Sequence, residues 1–139
     1  MLPFVKPQTQ RANQVQPTNS HDIFLPEALE ATLGLSDPEV LVEFFIVFLD
    51  FTGDRWKELE KASEAGDLAM VRDITHSLKS SSHSIGALAL SHCFAELEHI
   101  AQSGDVERCQ SALAESSAVF KRTMSAVQTH LQKLEGNLN

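Results

Sequence analysis

After Pro38 the chain continues for 101 residues without another proline, and glycine is sparse along that stretch. Proline breaks a helix interior and glycine weakens one by about 1 kcal/mol relative to alanine. Their scarcity over so long a run favours long helices over a strand-and-turn protein. Tyrosine is absent, and strand-like alternation is hard to find. The breaks that do occur are regular. Ala65-Gly66-Asp67 and Ser103-Gly104-Asp105 each place glycine where a helix can end and aspartate where the next can begin. Ser84-Ile85-Gly86-Ala87 marks a third break. This punctuation predicts a short helix over 22–33, then four helices at about 37–65, 67–84, 87–103 and 105–135. Each long segment carries apolar residues at helical spacing: Leu41, Phe45, Phe48 and Leu59; Leu68, Val71, Leu78 and Ile85; Leu90, Phe94, Leu97 and Ala101; Val106, Cys109, Leu113, Phe120, Met124, Val127, Leu131 and Leu134. Short connections make neighbours antiparallel. The expected fold is therefore all-α, an up-down-up-down four-helix bundle with a short extra N-terminal helix.

The 139 residues suit one domain. Residues 1–21 are rich in Gln, Asn, Pro and Thr and read as a flexible N-terminal arm. The bundle is expected over 22–135, with a short C-terminal tail at 136–139. Nineteen acidic against eleven basic residues give a net charge of −8, which disfavours nucleic acid and anionic membrane surfaces as partners. Two cysteines, Cys93 and Cys109, make no disulfide framework, fall on apolar positions, and point to a cytoplasmic protein. No signal peptide is visible, and Met1 with its polar arm suggests a freestanding chain. The richest apolar stretch, Val40 to Phe51, is interrupted by Glu43 and Asp50 and is too short for a membrane helix. His76, His83, His92 and His99 are spaced by seven, nine and seven residues, whereas helical ligand pairs sit three or four apart, so no metal site is expected.

The segment 67–84 carries the most informative surface. At about 100° per residue, Leu68, Met70, Val71, Ile74, Thr75, Leu78 and Ile85 share one broad arc. His76 stands opposite, flanked by Ala69, Arg72, Lys79, Ser80 and His83. An acidic protein thus shows a local basic stripe suited to an anion. A solvated imidazole is largely neutral at cellular pH and keeps a nucleophilic nitrogen. The string Thr75-His76-Ser77-Leu78-Lys79-Ser80-Ser81-Ser82, with Ile85-Gly86-Ala87 after it, resembles the signature His-x-Leu-Lys-Gly-Ser-Ser of histidine-containing phosphotransfer domains. The resemblance continues through Cys93-Phe94-Ala95-Glu96-Leu97-Glu98 and Gly104-Asp105, and covers roughly residues 22–135. Ser80 stands where the family usually has glycine.

The resemblance implies that His76 is phosphorylated and that Lys79 steadies the phosphoryl group. Small Ser80 and Ser81 would let a partner approach, with Arg72 and His83 beside them. The implied activity is that of a phosphorelay intermediate, which takes a phosphoryl group from a receiver-domain aspartate and passes it to another. Its partners would be response-regulator receiver domains and a hybrid sensor histidine kinase, met as a monomer. It would need no cofactor of its own, the magnesium ion belonging to the receiver. With no Gly-rich nucleotide motif, it is expected not to be an enzyme in the turnover sense. The Phe44–Phe51 stretch is apolar nearly all round. Part of it, Phe44 and Phe48 included, either meets the 22–33 helix or forms a docking patch near His76. The rival readings are a helical adaptor that binds through this patch and a histidine-kinase dimerisation helix. The latter usually has Glu or Asp after its histidine, where Ser77 stands here.

Overall fold

The computed structural model describes residues 20–34 and 36–138. They form two short helices, α1 (Ser20–Ile23) and α2 (Ala28–Leu33), and four long ones. The long helices are α3 (Pro38–Glu64), α4 (Leu68–Ser84), α5 (Leu88–Ser103) and α6 (Val106–Leu138). Each long helix packs on the next, and α6 returns to α3, so the four close an antiparallel ring. The expected all-α four-helix bundle is what forms.

Local chemistry places the helix starts. Pro38 opens α3, where a missing N–H costs nothing, and the Asp37 carboxylate accepts from the Glu39 amide. Asp67 accepts from the Met70 amide and Asp105 from the Arg108 amide. The two Gly-Asp turns thus work as their sequences suggest.

The ends of the molecule depart from expectation. The single helix over 22–33 is split at Pro26, which lacks a backbone N–H and disfavours a helical residue before it. The freed Leu25 amide donates instead to the Gly86 carbonyl (3.0 Å). At the other end α6 continues through Leu138, across most of the expected tail. No proline interrupts it, and Gly136 near its end is tolerated at about 1 kcal/mol. Of the expected arm, positions 20 and 21 belong to α1, and 1–19 lie outside the described residues.

The core runs the length of the ring: Phe45, Leu59, Val71, Ile74, Leu78, Leu90, Phe94 and Val127 are wholly buried. Trp56 stacks on Phe120 with ring centroids 4.1 Å apart. Cys109 is buried, whereas Cys93 is only half-buried. Burial raises both thiols above their ordinary value, which keeps them protonated and unreactive.

Candidate functional site

α4 is two-faced. Val71, Ile74, Thr75, Leu78 and Ser82 are buried, while Arg72, His76, Ser80 and His83 lie exposed on the opposite side. Met70, expected on the apolar arc, is 45% exposed in the first turn of the helix. The His76 side chain is 69% exposed. Thr75 beside it is wholly buried and donates to the Val71 carbonyl (2.8 Å), so the helix under His76 is anchored in the core.

Across the groove, α5 supplies a residue that periodicity on α4 could not reveal. The Glu98 carboxylate, 13% exposed, lies 2.9 Å from His76 Nδ1 through Oε2 and accepts from Lys79 Nζ at 2.7 Å through Oε1. One carboxylate thus holds both residues of the sequence motif. The Lys79 hydrogen bond foremost, helped by that of His76, holds the Glu98 carboxyl below the usual carboxylate range despite its partial burial. An ionised carboxylate can only accept, so His76 carries its proton on Nδ1. The lone pair of the neutral ring then sits on Nε2. Lys79 is half-buried, and Glu98 takes one of its three N–H donors. The site therefore offers an oriented nucleophile and spare cationic donors one helical turn away.

The helices are fastened beside this triad. Ser91 Oγ on α5 donates to the Lys79 carbonyl on α4 (2.9 Å). Small residues, among them Ala87, Ser91 and Ala95 on the α5 side, let the two backbones approach closely. Ser80 is exposed and Ser81 half-buried, its hydroxyl donating to the Leu78 carbonyl. Among the described residues, no three His, Cys, Asp or Glu side chains come together as a metal-ligand set.

A second feature lies farther along α4. Leu29 and Leu33 of α2, Phe44, Val47 and Phe51 of α3, and Ser81 and Ser84 of α4 border an apolar groove of about 310 Å³. Phe44, Val47 and Phe51 are 42%, 63% and 41% exposed, so α2 covers the apolar stretch only in part. Phe48 corrects the sequence reading. It is buried, at 4% exposure, because it faces the bundle and forms the floor of the groove instead of its rim.

The Hpt domain family model matches residues 43–137, most of the four long helices. The phosphorelay protein LuxU from two strains of Vibrio vulnificus is 36% identical over 78 residues. That alignment takes in 56% of this chain and 65% of LuxU. The crystal structure of histidine-containing phosphotransfer protein B (HptB) from Pseudomonas aeruginosa PAO1 superposes with a TM-score of 0.72 at 23% identity. It covers 80% of this chain and 96% of that one, so the two share a fold. No described helix is long and apolar enough to cross a membrane. With its bundle, its motif on α4 and the family match over more than half its length, this chain belongs to the Hpt domain family.

Proposed function

We propose that the protein is a phosphorelay intermediate that carries its phosphoryl group on His76. The observation that supports this reading best is the His76–Glu98 pair: an exposed imidazole whose Nδ1 is held by an ionised carboxylate turns Nε2 into the free nucleophile. Nε2 attacks the phosphorus of an acyl phosphate on a receiver aspartate. The N–P bond forms as the P–O bond to the aspartate breaks, and the aspartate leaves as its carboxylate. The modified ring keeps its Nδ1 proton and so gains positive character, which Glu98 balances. Lys79 meets the phosphoryl oxygens with a donor not used by Glu98. The reverse attack, by the aspartate of a second receiver, discharges His76. The magnesium ion travels with the receivers, and one of these belongs to a hybrid sensor histidine kinase. Docking uses the apolar groove and the small Ser80–Ser81 surface, with Arg72 and His83 on the rim.

The experiment is incubation with a receiver domain charged by acetyl phosphate. Acid-labile, base-stable label on this protein supports the reading, and its complete absence leaves only an adaptor that binds through the groove.

A further inference from the structure

We propose that His130 is an acid-sensitive latch for the α1–α2 segment, so that falling pH frees one wall of the apolar groove farther along α4 from His76. His130 is half-buried on α6, and its ring lies 5.7 Å from Phe24 and 5.5 Å from Phe45, centroid to centroid. Phe24 and Phe45 meet edge to face at 5.8 Å. These three rings form a triangle joining the N-terminal segment, α3 and α6. Phe24 and Phe45 are themselves buried, at 7% and 0% exposure, so the triangle belongs to the core. The next residue along, Leu25, is pinned by its hydrogen bond to Gly86. That turn is close-fitting: Gly86 has φ +89°, and a Cβ there would collide with the Leu25 carbonyl. Three residues further on begins α2, whose Leu29 and Leu33 border the groove. The triangle, the Leu25 bond and the groove wall are consecutive parts of one short segment.

A neutral imidazole packs among phenyl rings as another aromatic, but its protonated form is penalised by burial. Burial first, and then Lys133 on the same helix, lower the His130 proton affinity. Glu27 and Glu30 from the segment pull the other way and do not overcome them. From α3 the ring is met by the uncharged Phe45. The sign follows. Release relieves the burial while Lys133 stays beside the ring on α6, so the released imidazole takes up a proton more readily than the latched one, at a value no higher than the ordinary 6.5. Release therefore gains a proton, and the latch weakens as pH falls below that value, by at most about tenfold per pH unit for one group. Carboxylates elsewhere stay ionised through most of this window, so the response belongs to imidazole chemistry.

Amide hydrogen exchange on the full chain tests the latch. Protection of the Leu25 amide, corrected for intrinsic exchange, should fall from about pH 7.5 to about pH 5.5 in the wild type. It should stay level in His130→Phe, which keeps the ring and removes the proton. A level wild-type profile, or an equal slope in the variant, overturns the proposal. A second measurement does not depend on the variant folding. NMR titration of His130 in the wild type should give a midpoint below the ordinary 6.5, with Leu25 protection falling between the two values, and an unshifted midpoint also overturns it. The consequence for docking rests on the function proposed above and is read separately. Receiver affinity should fall with pH in the wild type and less in His130→Phe; intact exchange behaviour with unchanged affinity would instead refute docking at the groove.

Discussion

The chemistry of the candidate site rests on three side chains, and each has a separable effect. On the proposed role, His76→Gln should accept no label from a charged receiver while keeping its thermal midpoint, because an exposed position rarely shifts stability by more than ~0.5 kcal/mol. Retained label would move the nucleophile to another histidine. Lys79→Ala should leave receiver binding intact and lower the phosphorylated fraction at equilibrium. Losing a contact of about 1 kcal/mol, partly screened at an open site, corresponds to roughly a fivefold change that shrinks in high salt. Glu98 makes a pH prediction. Its folded-state value lies below the ordinary 4.5, so the stabilisation it provides is complete above that pH and is lost as pH falls through the lower value. Acid unfolding of the wild type should therefore show a dependence below pH 4.5 that is shallower in Glu98→Gln, as followed by circular dichroism. The same variant should accept phosphate more slowly, since an amide can either donate or accept and no longer fixes the proton on Nδ1. Glu98 stands in the sequence motif, yet it lies 22 positions from His76. Spacing within one helix reads neighbours at three and four, and says nothing about a partner on the next helix.

At the scale of elements, the long helices were legible because each buries a stripe of period 3.6 and the starts of α3, α4 and α6 have an aspartate cap. The short N-terminal element was not, because Pro26 breaks a stretch whose apolar spacing alone reads as one helix. The pair α4–α5 carries the site, and its strength depends on core residues remote from the chemistry. Phe94 is wholly buried on α5 and packs on Trp56 at 6.2 Å between ring centroids. Phe94→Ala should cost about 3–5 kcal/mol in denaturant melts. Label acceptance by the fraction that remains folded should persist, because His76 and Glu98 are held by each other and by Lys79, whereas Phe94 packs on Trp56 in the core. A loss below 1 kcal/mol would mean that the α5 core relaxes around the cavity far more than a close-packed interior usually does.

For the whole molecule, the proposed docking would be governed by the acidic surface and the apolar groove. A net charge of −8 leaves the groove and the basic stripe of α4 as local exceptions on an acidic body. Phe44 is, with Phe51, one of two exposed aromatics on the groove rim, and buried aromatic anchors often dominate an interface. Phe44→Ala should weaken receiver binding by about 1–2 kcal/mol, or roughly five- to thirtyfold in Kd. Its helical content should be unchanged. Titration calorimetry with an uncharged receiver reads this directly, and an unaltered Kd would place docking elsewhere.

The sequence by itself determined the helical class, the number and direction of the long helices, the exposed position of His76 and its neighbours, and the family. All but the family follow from periodicity, capping and short loops, which act over a few residues; the family follows from the resemblance carried by the motif residues around His76. Tertiary structure decided the rest. Only packing could join Glu98 to His76 and Lys79, turn Phe48 inward while leaving Phe44 at the surface, and set His130 between Phe24 and Phe45. The physical reason is that a helical wheel fixes which residues share a face but not what each face meets. How far an apolar stripe is covered, and which charges become partners, depends on the rotation and offset of neighbouring helices, which are settled by the interlocking of side chains far apart in the chain.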